Sequence, residues 1–201
     1  MSQKKFTIGV IISSTREGRM GERVAHFVKK AIEKDHIVDL IDPLEVHLTE
    51  TQQSMNFMFN PGAVPDNIKA LNDRIKALDA LVLVCAEYNY SIPPGLSNLL
   101  DNIPFTTTLW KPVAFVNYSI GPFGGTRAAM QLRVFVGALG MIAVPKQVAI
   151  PVVNEALDEH GTPKNDKLNQ ELSMLLSHLY WATDALKSQA AKSPYPQHFP
   201  S

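Results

Sequence analysis

Residues 80–85 read ALVLVC, an unbroken apolar run with none of the alternation expected of a strand with one wet face. So short a segment with no polar side suits a strand covered on both faces, the environment of a parallel sheet flanked by helices. Four further short runs resemble it: 6–13 (FTIGVIIS), 37–41 (IVDLI), 113–118 (VAFVNY) and 141–150, the last interrupted or bent at Pro145. Between them the apolar period becomes helical. Val24, Phe27, Val28, Ala31 and Ile32 form one stripe. Ile68, Leu71, Ile75 and Leu78 form another, with Asp66 as candidate cap. Leu96, Leu99, Leu100 and Ile103 form a third, and residues 126–139 a helix stopped by Gly140. Leu168, Leu172, Leu175, Leu176, Leu179 and Leu186 mark a last long helix.

Strand and helix thus alternate five times, which predicts an α/β sandwich of three layers wound on both sides of the sheet. Five units suit the flavodoxin-like strand order 2-1-3-4-5 better than a six-stranded dinucleotide fold. The 201 residues suit one domain, residues 1–192, with 193–201 (SPYPQHFPS) as a loose tail. Residues 46–65 form a long connection without periodicity that carries Met55, Phe57, Met58 and Phe59. Lys plus Arg and Asp plus Glu are 19 each, so no basic excess points to a nucleic-acid partner. No apolar run approaches the roughly 18–20 residues of a membrane span, and the polar start has no signal-peptide core behind it. With the single cysteine Cys85, this predicts a soluble cytoplasmic protein.

In such a fold, ligands bind beyond the carboxyl ends of the strands, near the reversal of strand order. Three loops lie there. The first, 13–21 (SSTREGRMG), has neither GxGxxG nor GxxxxGK[ST]. Its hydroxyls at Ser13, Ser14 and Thr15, its Arg16 and Arg19 and the adjoining helix start suit a terminal phosphate, and suit equally a solvated turn that only caps the helix. The second, 86–95 (AEYNYSIPPG), can wall a flat ring, or can be a Pro-ended turn whose tyrosines pack on the next helix. The third, 119–125 (SIGPFGG), can bring backbone N–H groups to a ligand, or can need its glycines only for positive φ. Together they describe one elongated aromatic ligand with a phosphate, and FMN has that shape. Cys85 reads as a buried inert thiol. Histidines 26, 36, 47, 160, 178 and 198 lack ligand spacing, so no metal is expected, and no GxSxG motif is present.

Over about residues 6–151 the chain resembles the NAD(P)H-dependent FMN reductases, a flavodoxin-like family of quinone, azo-dye and chromate reductases. Ser13-Ser14-Thr15-Arg16 with Arg19 and Gly21 is similar to the family's Gly-Ser-x-Arg loop. Residues 86–101 (AEYNYSIPPGLSNLLD) are similar to Pro-Glu-Tyr-Asn-x-Ser-x-Pro-Gly-x-Leu-Lys-Asn-x-x-Asp. Ser119, Gly121, Gly124, Gly125, Arg127, Ala128, Leu132, Arg133, Leu139 and Gly140 follow its third motif. Ser13 stands for the usual Gly, Ala86 for Pro, Pro94 for Gly and Ser97 for Lys, so no role is carried onto Ser97.

The resemblance implies Ser14, Thr15, Arg16, Arg19 and Gly21 around the flavin phosphate. It implies Glu87, Tyr88, Asn89, Tyr90 and Ser91 along the ribityl chain and ring, with Glu87 partly structural, and Ser119, Gly121, Gly124 and Gly125 near the pyrimidine edge. The activity implied is hydride transfer from NADPH or NADH to FMN, then two-electron reduction of a small acceptor such as a quinone, azo dye, metal oxyanion or free flavin. The flavin carries the chemistry and no protein group is assigned as catalytic. The free N–H groups of the turn Ser119–Gly125 and the positive end of the helix beginning near Thr126 are expected to face the ring's pyrimidine edge. That helix carries a second apolar stripe, Met130, Val134 and Gly137, which predicts a subunit interface; the family implies a dimer or dimer of dimers with the flavin near it. Two other readings stay open: a flavin-binding redox-responsive regulatory module, and a flavin-free nucleoside-cleaving enzyme with Glu87 as nucleophile.

Overall fold

A computed structural model describes residues 4–51 and 64–196. Its five strands, β1 (Thr7–Ile12), β2 (Ile37–Ile41), β3 (Ala80–Ala86), β4 (Pro112–Tyr118) and β5 (Ile142–Ile150), form one all-parallel sheet in the order 2-1-3-4-5. The central strands β3 and β4 are buried at every residue, as the unbroken apolar runs require. Alternate side chains go to opposite faces. Ile8, Val10, Val82, Val84 and Val116 pack under α1 (Gly21–Ile32) and the long α8 (Asp166–Lys192). Ile11, Leu81, Leu83 and Phe115 pack under α3 (Asp66–Lys76), α4 (Pro94–Asp101) and α6 (Thr126–Ala138). Each such fully buried side chain contributes about 1.5–3 kcal/mol relative to exposure.

Three single-turn helices escape the sequence pattern: α2 (Pro43–Val46), α5 (Phe105–Thr108) and α7 (Val153–Ala156). A four-residue helix is too short to show an i, i+3, i+4, i+7 stripe. Asp66 is not the cap of α3: Pro65 holds that position in extended geometry and Asp66 is the first helical residue, where its charge suits the helix dipole. β5 does bend at the sheet edge. Val113 pairs with Ala143 but Phe115 with Gln147, and the exposed Pro145 falls in the slipped stretch. The chain beyond Ser193 is not loose throughout, because Tyr195 stacks on Trp110 at 6.2 Å between ring centroids. Residues 197–201, and Met55, Phe57, Met58 and Phe59, lie outside the described residues. Among the described residues no helix is long and apolar enough to cross a membrane.

The sheet order sets the site. β1, β3 and β4 run side by side, with Ile12 opposite Val84 and Ala86 opposite Tyr118, so the loops that follow all emerge at one end. Cys85 lies just below, fully buried, and this burial together with the nearby Glu87 charge pushes its thiol up to about 12. The unfolded chain releases that proton at lower pH than the folded one, so this group's contribution to stability declines as pH rises from 9.0 towards 12. A thiol reagent at pH 8 should label no cysteine in the folded protein and one after unfolding in guanidinium chloride. Labelling of the folded protein at the rate of a free thiol would contradict this burial.

Candidate functional site

The first loop divides into a buried brace and an open cradle. Ser13 is fully buried and its Oγ accepts a hydrogen bond from the Ala86 N–H at 2.9 Å, tying β1 to β3. The two departures from the family pattern therefore answer each other: a glycine at 13 would lack the oxygen and a proline at 86 would lack the N–H. Ser14 is also fully buried, bonded through its hydroxyl to the Tyr88 phenol and accepting from the Arg16 N–H at 3.2 Å. Arg19 is turned inward. Its Nη1 donates to Ser14 O at 2.7 Å and Asp42 Oδ1 at 2.8 Å, its Nε and Nη2 donate to Glu22 Oε1 at 3.0 and 2.8 Å, and Nη2 also reaches Asp42 Oδ2. Those contacts use all five guanidinium donors. Burial opposes the charge, but Asp42 and Glu22 outweigh it and hold the Arg19 pKa above its ordinary value. Arg19 thus braces the loop and offers no donor to a ligand, in contrast to the sequence expectation. The same Asp42 side chain caps α2 by accepting from the Leu44 N–H at 2.9 Å.

Arg16 is the opposite case. Its exposed guanidinium lies 3.5 Å from the centre of the Tyr88 ring and has no acceptor among the described residues. Beside it, α1 begins without a side-chain cap, and the N–H groups of Gly21, Glu22 and Arg23 have no acceptor among the described residues. An uncapped helix start beside an unpaired arginine has the donors and the charge that suit an anion.

The second loop turns back on itself at Tyr88 and Ser91, whose backbones exchange hydrogen bonds of 3.0 and 2.9 Å. The two residues between, Asn89 and Tyr90, have φ of +51° and +64°. Both central residues left-handed defines a type I′ turn, strained for a tyrosine. The turn leaves the Tyr90 ring 63% exposed. Ser91 faces away and bonds Gln131 at 2.6 Å, anchoring the turn to α6.

The third loop corrects one part of a further expectation, the role of the helix end. The Glu87 side chain, 3% exposed, caps α6: Oε2 accepts from the N–H groups of Arg127 and Ala128 at 3.0 and 3.3 Å, and Oε1 pairs with the Arg127 guanidinium. Thr126 N–H goes to Phe123 O and Ala129 N–H to Gly125 O. The first turn of α6 therefore has no free N–H to face a flavin. Gly124 and Gly125, at φ +60° and +80°, press against the backbones of Pro151 and Tyr118, where an added Cβ would meet atoms at 2.9 and 2.8 Å. Both residues build the turn. Among the described residues, the loop N–H groups without an acceptor are those of Ile120, Gly121, Phe123, Gly124 and Gly125.

These parts enclose a cavity of about 830 Å³. Of the residues expected from sequence, Arg16, Arg19, Glu87, Tyr88, Asn89, Tyr90, Ser119 and Gly121 line it. Ser14, Gly21, Gly124 and Gly125 sit behind the wall, and Thr15 faces a neighbouring cavity with Pro43, Pro94 and Gly95. Sequence reasoning missed Met20, Tyr118, Ile120, Phe123 and Arg127 in the lining. Arg127 stands between aromatic rings, 3.7 Å from the Tyr90 centroid and 4.7 Å from that of Phe123. Its place in the third motif was the available signal. The cavity thus runs from Arg16, Arg19 and Met20, just before the start of α1, to an aromatic mouth at Tyr90 and Phe123.

The Arg19 brace has a measurable consequence. Asp42 and Arg19 side chains are 12% and 6% exposed, whereas Glu22 is 58% exposed. Asp42→Ala leaves a buried guanidinium without its main partner and should lower stability by about 3 kcal/mol or more. Glu22→Ala should cost about 1 kcal/mol at most. Urea unfolding of the ligand-free proteins measures both, and equal losses would refute the assignment.

Known proteins share this chain's sequence and fold. The chain is 30% identical over 148 residues to a quinone reductase of Escherichia coli, covering 69% of this chain and 74% of that protein. It is 28% identical over 185 residues to an NAD(P)H-dependent FMN reductase of Saccharomyces cerevisiae, covering 85% and 94%. The flavoenzyme NAD(P)H:(acceptor) oxidoreductase of Paracoccus denitrificans shares its fold, with TM-score 0.70, 21% identity, and coverage of 88% of this chain and 97% of that one. Residues 6–155 match the sequence profile of the NADPH-dependent FMN reductases. The chain belongs to that family.

Proposed function

We propose that the protein is an FMN-dependent oxidoreductase that uses NADPH or NADH to reduce a quinone or similar small acceptor. The observation that carries this reading is the uncapped start of α1 beside the unpaired Arg16, at one end of a cavity whose other end is aromatic. The residues present fit FMN: a cation and free N–H groups for the phosphate, aromatic side chains for the ring, and turn N–H donors for its polar edge. The quinone and FMN reductase relatives support the same substrate classes.

Bound FMN supplies a ring that accepts hydride from the nicotinamide and passes two electrons to the acceptor. Arg16 and the N–H groups of Gly21, Glu22 and Arg23 hold the phosphate. Tyr88 keeps Arg16 flat against its ring, and its hydroxyl fixes the loop through Ser14. Ile120, Gly121 and Phe123 offer backbone donors to the ring edge without help from α6. Tyr90, Ile120 and Phe123, all more than half exposed, leave the mouth open, so nicotinamide and acceptor can use one face in turn. Both Glu87 oxygens are engaged in capping and pairing, which argues against its attack on a nucleoside. A cytoplasmic location belongs to the same proposal.

A second copy of the chain completes the proposed assembly. Met130 and Val134 are 72% and 76% exposed on the outer face of α6, close along the chain to the exposed Phe123 at the cavity mouth. This apolar surface supports a homodimer, or a dimer of dimers, with the flavin mouth near the contact.

The purified protein should carry a flavin spectrum or bind added FMN, and should oxidise NADPH or NADH continuously when a quinone is supplied. Flavin binding without turnover would favour a regulatory module. Arg16→Ala should weaken FMN by about one to two decades and riboflavin much less, because only FMN offers the charged partner. Equal losses would remove Arg16 from the phosphate site. Light scattering should give at least twice the 22.2 kDa chain mass, and Val134→Glu should shift it towards the monomer. A wild-type monomer at micromolar concentration would refute the interface.

A further inference from the structure

The phosphate end of the cavity contains one hydroxyl that the family motifs do not mark. Tyr118 ends β4, is 4% exposed and lines the cavity. Its ring crosses beneath the first loop to α1. A Cβ placed on Gly21 would stand 2.9 Å from the Tyr118 hydroxyl oxygen and 3.8 Å from Cζ. The phenol therefore occupies the space that a side chain at the first position of α1 would take. Gly21 has ordinary helical φ here, so its lack of a side chain serves this close approach and no special backbone conformation.

The neighbours leave this hydroxyl available. Ser13 hydrogen-bonds it: the Ser13 oxygen accepts from the Ala86 N–H and the Ser13 O–H donates to the Tyr118 oxygen, which leaves the Tyr118 proton to give. Tyr88, the other phenol nearby, bonds Ser14. Burial, reinforced by Tyr88 and Cys85, holds the Tyr118 pKa well above its ordinary value, against the smaller opposing effects of Ser13 and Arg19. Tyr118 thus keeps its proton at any working pH and is a donor beside an uncapped helix start.

We propose that Tyr118 is a specificity residue for the phosphate end of the ligand, its hydroxyl donating a hydrogen bond to a phosphate oxygen held at the start of α1. Gly21 and Tyr118 then act as a matched pair, the first making room and the second filling it with a donor. The inference rests on the reading of this cavity as an FMN site. A hydrogen bond to a charged acceptor exceeds one between neutral groups, so its loss should fall on FMN and spare riboflavin, which ends in a neutral hydroxyl.

The test titrates ligand-free wild type, Tyr118→Phe and Arg16→Ala with FMN and with riboflavin, following flavin fluorescence. Tyr118→Phe should raise the FMN dissociation constant about tenfold or more and change riboflavin by less than about threefold. The phosphorus NMR signal of bound FMN should also move in this variant, a readout that a merely structural tyrosine would leave in place. The unfolding midpoint of ligand-free Tyr118→Phe shows that the variant is folded; a loss of fold is overcome by recording the same phosphorus signal in Gly21→Ala, whose methyl group displaces the hydroxyl. If Arg16→Ala still discriminates between the flavins but Tyr118→Phe affects both equally or neither, or the phosphorus signal stays put, Tyr118 has no such role and the FMN reading survives. If wild type binds neither flavin, both fall.

Discussion

One carboxylate decides which helix at this end of the sheet can meet a ligand. Both α1 and α6 point their N-termini at the cavity end, and each start carries about half a positive charge together with unbonded N–H groups. Glu87 closes α6 by accepting from Arg127 and Ala128 and pairing with the Arg127 guanidinium. Nothing closes α1. The polarity of the cavity follows from that asymmetry: the α1 side presents Arg16 and free N–H groups, while the α6 side presents aromatic surface and turn donors. Glu87 also ties the end of β3 to the loop after β4, so the two ring-side loops keep a fixed relation.

The loops are held by contacts distant in sequence. Ser13 reaches Ala86, Ser14 reaches Tyr88, Arg19 reaches Asp42 and Tyr118 reaches Gly21. The first three join neighbouring strand ends and the last spans from β4 past β3 to the helix after β1, and the Ser13 hydroxyl and Ala86 N–H would lose their value singly. Buried polar groups of this kind are costly unless every partner is present, which favours their change in pairs.

Much of the fold could be read from single runs of residues. The apolar runs at β3 and β4 and the leucine stripe of α8 carry their own period, because burial on two faces or on one stripe is a local pattern. The loops that form the cavity could also be placed, since strand order alone puts the ends of β1, β3 and β4 together. The duty of each loop residue was less legible. Arg16 and Arg19 are equal by residue type; Asp42, supplied from the end of β2, turns one of them inward together with Ser14 O and Glu22. Glu87 could be read as partly structural, but the closure of α6 depends on a contact across forty positions of chain. Tyr118 looked like the last residue of an apolar strand because its polar tip matters only opposite Gly21.

The type I′ turn at Asn89 and Tyr90 has an evolutionary consequence. A left-handed tyrosine costs on the order of 1 kcal/mol or more, a cost glycine at position 90 would largely avoid. Random drift should therefore favour glycine there on stability alone. That same change would strip an exposed ring from the cavity mouth and release the stacked Arg127 guanidinium. Persistence of tyrosine at this position across descendants of this chain would record selection on the mouth itself, whereas a shift to glycine would mark lineages in which the aromatic wall had lost its use.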